Sequence, residues 1–314
     1  MNTNTLKCTH YLKPVYLILF LLFFLDCKGQ TGKSIANGEE EYTFPMITIP
    51  STLLELEDRA AYLTLHYWDN FDFTDTLISR REKMLEQAFV DYIDIFPHTS
   101  QSVVSESIQK MLKKCEANEK IFDYFTSLYY KYLYDPNSNM RNDEYLIPAL
   151  EAMLSSPAQK DKTRPELLLS LAKKNRLGHA ASNFVYTMAD GRQGKLYDLK
   201  AEFTLIYFYN PECENCKEVT GHLRTSNIIK GMLANKRLIL LAIYSDKDLE
   251  AWRRHLSEMP KDWIIACDKS QTIDSERLYD LKAIPSIYLL DKQKKTLLKD
   301  AGFEQVEDYL SSKE

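Results

Sequence analysis

Residues Tyr207 to Val219 read YFYNPECENCKEV, and how this stretch is parsed decides the second half of the chain. The apolar run FTLIYFY (203–209) reads as a strand. It stops at Asn210, because Pro211 cannot continue an interior strand, and Cys213 then falls where the next helix opens. Cys216 follows after two intervening residues. That spacing fits a redox couple, half of a metal clip or an inert staple, and spacing alone does not choose among them.

Outward from this stretch, short strands alternate with amphipathic helices. Strands are expected at 184–188, 203–209, 237–244, 263–267, 286–290 and 295–299, and helices at about 214–233, 246–258, 272–280 and 303–312. Such alternation predicts a central sheet covered on both faces. Before Gly178 the pattern is helical instead. Val104, Ile108, Met111 and Cys115 recur at steps of four, three and four, one stripe of a helix with Thr99 and Ser100 as capping candidates. Ile121, Phe125, Leu128 and Tyr132 repeat the pattern until DPNSN (135–139) breaks it with turn residues. Further helices are expected at about 52–68, 80–95, 142–155 and 165–175, with Gly178 as a stop. The expected fold class is α+β in two domains, an all-helical bundle of about six helices over 45–177 and an α/β domain over 178–314.

Placement gives the cysteine pair its chemistry. A thiol at a helix N-terminus faces unpaired N–H groups and the positive end of the helix dipole, which favour thiolate. Cys216 lies one turn later on the same face, within disulfide reach of Cys213. Cys213 can therefore attack a partner's disulfide, and Cys216 can resolve the mixed disulfide. Far away in sequence, KAIPSIYLLD (282–291) sets Pro285 directly before a buried-looking strand.

A strand, CxxC and helix paired with a later Ile-Pro before a strand resembles the thioredoxin-like superfamily. The opening GHAASNFVYTMADG (178–191) is similar to its membrane-tethered thiol:disulfide oxidoreductase branch. The resemblance covers 178 to about 312 and implies a thioredoxin-like domain with a mixed sheet. It implies a cis peptide at Ile284–Pro285 beside the cysteines, with Ile284 backbone free to pair with an incoming chain. DNFDF (69–73), KYLYDPNSNMRNDEYLIPALEAML (131–154) and KNRLGHAASNF (174–184) resemble an uncharacterised helical domain that precedes thioredoxin-like domains in Gram-negative envelope proteins. That second resemblance spans about 45–175 and implies no activity. Two departures from the first stand out: Glu212 replaces the common Trp before the first cysteine, and Tyr207 stands where a buried acid is usual. Glu212 and Glu214 flank Cys213, and like charge opposes the thiolate, which points to the reducing direction.

The N-terminus adds location. Lys7 and Lys13 precede PVYLILFLLFFL (14–25), the length of an export signal core and short for a bilayer span. Residues 1–26 are expected to be a signal peptide and 27–44 a tether. Cys27 in FLDCKGQ sits as the lipidated cysteine does in bacterial lipoproteins, although Asp26 replaces their small residue. The mature protein is thus expected in the cell envelope of a Gram-negative bacterium, facing the periplasm, where disulfides persist.

The remaining signals exclude more than they assert. The 314-residue chain is 45% apolar, which supports packed cores, and its net charge of −5 becomes −6 without the signal, so no basic stripe suits nucleic acid. GKS (32–34) lacks the glycine a phosphate loop needs, since Cys27 holds that position. Cys115 and Cys267 read as packed residues, His66 as a packed or partly exposed side chain, and DKQKK (291–295) as a solvated hairpin turn. A zinc site from Cys213, Cys216, His222 and Cys267 lacks a second ligand pair at finger-like spacing, so no metal and no cofactor are expected. The expected activity is thiol-disulfide exchange on envelope proteins, with Cys213 as nucleophile, Cys216 as resolving thiol and Ile284 with Pro285 positioning substrate. The expected partners are protein thiols or disulfides, an envelope electron donor, and a membrane held through Cys27. The rival expectation is a scaffold whose cysteines form a structural disulfide.

Overall fold

The structure, a computed structural model, describes residues 43–74 and 81–313, together with the backbone of residues 35–36 and 39–40. The expected signal, Cys27 and most of the expected tether lie outside the described residues. The chain forms two compact units, Met1–Thr43 and Phe44–Glu314. In the first, β1 (Ile35–Ala36) pairs antiparallel with β2 (Glu39–Glu40). No helix among the described residues is long and apolar enough to cross a membrane.

Among the described residues the second unit opens with six α-helices: α1 (Leu56–His66), α2 (Glu82–Asp94), α3 (Gln101–Cys115), α4 (Glu119–Tyr129), α5 (Asp143–Ser155) and α6 (Thr163–Ala172). Of the two capping candidates, Ser100 is the one used, its hydroxyl accepting the Val103 amide at 3.4 Å. Asn118 and Asn142 cap α4 and α5 in the same manner, so polar residues that compete with helix hydrogen bonds inside a helix complete them at its start. The stripe Val104, Ile108, Met111 and Cys115 is fully buried, and the Cys115 thiol is pushed up by burial. The bundle core is aromatic, with Phe89 edge-on to Tyr129 at 4.9 Å and Trp68 edge-on to Phe125 at 5.1 Å. His66 is partly exposed and bonds Asp69 at 2.6 Å.

Then come β3 (Val185–Met188), β4 (Gln193–Lys195), β5 (Phe203–Tyr209), α7 (Glu214–Thr225), α8 (Asn227–Ala234), β6 (Leu238–Tyr244), α9 (Leu249–Arg254), β7 (Ile264–Cys267), α10 (Thr272–Ser275), β8 (Ser286–Asp291), β9 (Thr296–Leu298) and α11 (Phe303–Ser311). The sheet runs β4-β3-β7-β6-β5-β8-β9. Its centre is parallel, β5 with β6 and β6 with β7, and its flanks are antiparallel. All seven residues of β5 are buried, because one apolar core lies on each sheet face.

Five local expectations fail for identifiable reasons. The strand β4 escapes a reading of the sequence because GRQGK carries no apolar alternation; it exists as the return arm of a turn at Gly191, whose φ of +87 suits glycine. The single helix expected at 214–233 is two, since Ser226 breaks it and its hydroxyl caps α8 through the Ile229 amide. The helix expected at 272–280 is one turn held by the Asp268 carboxylate and ended by Arg277 at φ 49. Gly178 is not the stop of α6: that helix ends at Ala172, and Asn175 takes the left-handed turn at φ 51. Asn175 can do so because its side chain accepts from Ser182 N at 2.7 Å and donates to Leu278 O at 2.8 Å. The DKQKK hairpin is not wholly solvated, for Lys294 folds inward at φ 65 and donates to Thr204 Oγ1 at 2.9 Å.

The segment joining the halves is fastened rather than free. Lys174 Nζ donates to the Glu276 and Arg277 carbonyls, and Lys299 Nζ reaches back to the Ala172 and Lys174 carbonyls. Arg176 also pairs with Glu144 of α5. These contacts tie helical and sheet halves together within the Phe44–Glu314 unit.

Candidate active site

Strand β5 delivers the chain to Asn210, where a tight turn sets the cysteines. The Asn210 side-chain oxygen accepts the Glu212 amide at 2.9 Å, and its backbone carbonyl accepts the Cys213 amide at 3.1 Å. Cys213 therefore becomes the N-cap of α7, half-buried, with Sγ accepting the Cys216 amide at 3.4 Å. A sulfur placed there meets an N–H that the helix leaves unpaired.

Cys216 sits beneath it, 1% exposed, its Sγ accepting the Asn210 amide at 3.5 Å. Burial pushes the Cys216 thiol up to about 12. Both cysteines are free thiols. Tyr207 occupies the position of the missing acid, and its hydroxyl donates to the Cys216 carbonyl at 2.7 Å and lies 3.0 Å from Thr220 Oγ1. Burial raises the Tyr207 phenol, so it acts as a neutral strut under the first turn of α7.

The flanking glutamates do not act on Cys213 alone. Glu214 pairs with Lys217 at 2.6 Å and Glu212 with Arg254 at 3.4 Å, both in solvent, which offsets part of the like-charge opposition read from sequence. A groove of about 170 Å³ beside Cys216 is walled by Pro211, Lys217, Thr220, His255 and Met259.

The segment before β8 closes the site. The Ile284–Pro285 bond is cis, and the Ile284 carbonyl oxygen lies 3.9 Å from Cys213 Sγ. Cys213, Cys216, Ile284 and Pro285, scattered over about seventy residues, thus meet at one end of the sheet. Cys267 does not join them: it is buried on β7 with its Sγ 3.5 Å from Thr187 O. His222 stacks on Phe303 at 5.1 Å, and no group of metal-ligating side chains assembles among the described residues.

Sequence reading misses a buried cluster behind the Ile284–Pro285 segment. Lys282, Asp280, Lys299, Asp300, Arg141 and Asp143 converge there, Lys282 Nζ lying 3.3 Å from Asp280 and 3.5 Å from Asp143. Lys282 opens the KAIPSIYLLD stretch, but its partner Asp143 is 139 positions away, beyond any local pattern.

Comparison with known proteins matches both halves. Residues 26–175 match a domain of unknown function, DUF5106, and residues 201–296 match the family described as thioredoxin-like. A solved structure of a thioredoxin-like protein from Bacteroides caccae is 46% identical, with a TM-score of 0.85 over 87% of this chain and 100% of that one. The thiol-disulfide oxidoreductases ResA of Bacillus thuringiensis and Bacillus anthracis are each 26% identical over 141 residues, 44% of this chain and 79% of theirs. The thioredoxin-like match lies within the first resemblance read from the sequence, and the DUF5106 match contains the second but starts at residue 26, ahead of the expected start at 45.

Proposed function

This chain belongs to the thioredoxin-like family, and on that premise we propose that it is a thiol-disulfide oxidoreductase that reduces disulfides of envelope proteins through Cys213 and Cys216. One observation carries the reading. A half-buried sulfur at a helix N-cap faces the Ile284 carbonyl at a cis-proline, with a buried second thiol one turn away. Cys213 as thiolate attacks one sulfur of a substrate disulfide, forming the Cys213–substrate bond and expelling the other substrate sulfur as thiolate. Cys216 then gives its proton to solvent or to the departing thiolate and attacks Cys213 Sγ, breaking the Cys213–substrate bond, so the pair closes to a disulfide and the substrate leaves as a dithiol carrying two electrons. A dithiol donor in the envelope returns those two electrons in the next cycle.

Burial keeps the Cys216 thiol protonated at neutral pH, which leaves the first attack to the more exposed Cys213. Backbone at Ile284 offers the edge on which a substrate chain adds as a strand. The export signal at 1–26 and lipid attachment at Cys27 complete the proposal, placing the protein on a periplasm-facing membrane surface. Metabolic labelling with palmitate checks the anchor, with label lost in Cys27→Ser.

The test of the exchange reading is a redox titration of Cys213 and Cys216, joined to capture by Cys216→Ser. A midpoint between about −180 and −270 mV with partners captured as mixed disulfides supports it. A midpoint below about −300 mV with nothing captured makes the pair a structural disulfide and the protein a scaffold.

A further inference from the structure

The helical half reaches the exchange site where α5 begins, through Arg141 just before the helix and Asp143 at its first position, on both sides of the Ile284–Pro285 segment. Upstream, Lys282 is 7% exposed and its ammonium lies 3.5 Å from Asp143, 3.3 Å from Asp280 and 3.8 Å from Asp300, with the Tyr134 ring 4.6 Å away. Downstream, Ser286 Oγ donates to Asp300 Oδ1 at 3.1 Å. The other oxygen of that carboxylate takes Arg141 Nε at 3.2 Å, and the Asp300 backbone carbonyl takes Arg141 Nη2 at 3.0 Å. Lys299 closes the ring on Asp143 at 2.7 Å.

We infer that Arg141 and Asp143 are positioning residues for the exchange site, a clamp by which the helical half holds the substrate-binding Ile284–Pro285 segment against Cys213. Three cations, Arg141, Lys282 and Lys299, meet three carboxylates, Asp143, Asp280 and Asp300, and the helical half supplies one of each, so every ion pair in the cluster that crosses between the halves runs through Arg141 or Asp143. Lys282, Lys299, Asp143 and Asp280 are the most deeply buried members, and a charge displaced from its partner there loses that pairing with little solvent to replace it. Lys282 is two residues before Ile284 and Ser286 directly follows Pro285, so the two ties bracket the segment, and losing Arg141 or Asp143 loosens one of them. A cavity of about 450 Å³ lined by Arg141, Asp143, Lys282, Lys299 and Asp300 opens beside the clamp and leaves room for that movement. The helical half thereby gains a role in substrate binding, and Cys213 chemistry keeps its own supports, the Cys216 amide and the α7 N-terminus.

The inference rests on the exchange reading, and the experiment separates the two. Reduced full-length protein is mixed in single turnover with a fluorescent peptide disulfide, whose backbone can pair at Ile284, and with 5,5′-dithiobis(2-nitrobenzoate), which has no peptide backbone. The variants are Arg141→Gln, Asp143→Asn and the pair together, all outside the thioredoxin-like half. The double variant is expected to raise the half-saturating peptide concentration at least fivefold, with the limiting rate and the small-disulfide rate held within twofold. An unchanged half-saturating concentration overturns the clamp, as does a parallel fall in rate with both reagents, which marks general loss of structure. Should Asp143→Asn fail to fold by circular dichroism, Arg141→Gln decides alone by the same criterion, its side chain being 28% exposed. Wild-type protein that reduces neither reagent faster than Cys213→Ser defeats the exchange reading itself, and the clamp with it.

Discussion

The buried acidity of Cys216 makes a sharp kinetic prediction. Its thiol is 1% exposed and raised from 9.0 to about 12, because burial penalises the thiolate more than the Asn210 amide favours it. At pH 8 this lowers the thiolate fraction from roughly one in ten to roughly one in ten thousand, about a thousandfold. Only thiolate reacts with iodoacetamide, so Cys216 in a Cys213→Ser background, which keeps the burial but removes the raising effect of Cys213, should alkylate more than roughly tenfold more slowly in the folded protein than in urea. The sign with pH follows: the folded-state rate should keep climbing, about tenfold per unit, beyond the pH near 9 where an ordinary thiol levels off. Peptide mass spectrometry on quenched time points reads Cys216 apart from Cys115 and Cys267. A folded-state rate that levels off near pH 9, or lies within tenfold of the urea rate, refutes the reasoning.

Two further substitutions probe the cores. Phe125→Ala removes a fully buried ring that packs on Trp68, Phe71, Phe73 and Phe89, and should cost about 3–5 kcal/mol by urea unfolding; a loss under about 1 kcal/mol contradicts the packing. Lys294→Met should stabilise the protein, because burial first and Lys200 second push that ammonium below its ordinary 10.5. Between the lowered folded value and 10.5 the unfolded chain binds more protons, so this penalty fades as pH rises, and the urea midpoint should gain more at pH 7 than at pH 11. A gain that is larger at pH 11 reverses the sign and refutes the assignment.

Much of the site is legible in the sequence. FTLIYFY is the strand it reads as, residue for residue, because an uninterrupted apolar run ended by Asn-Pro leaves one physical outcome for a sheet interior. Cys213 caps α7 as its position after Pro211 requires, and the 104, 108, 111, 115 stripe is buried, because helical period and apolar spacing coincide. Local signals fail where a local choice is settled by a distant partner. Lys294 sits in a run that reads as solvated, yet Thr204, 90 residues earlier, draws it inside.

The sequence by itself determined most of the elements, the change from helical to strand-rich pattern and the place of Cys213 at a helix start, since periodicity, caps and the Asn-Pro break act within a few residues. Only the tertiary structure decided that Ile284 faces Cys213, that Tyr207 braces the turn in place of an acid, and that Asp143 of the helical half holds Lys282. The physical reason is the range of the forces involved. Backbone geometry and hydrophobic period are written in neighbouring residues, whereas a buried charge is set by whichever opposite charge the fold carries to within a few ångströms, and that partner has no fixed place in the sequence.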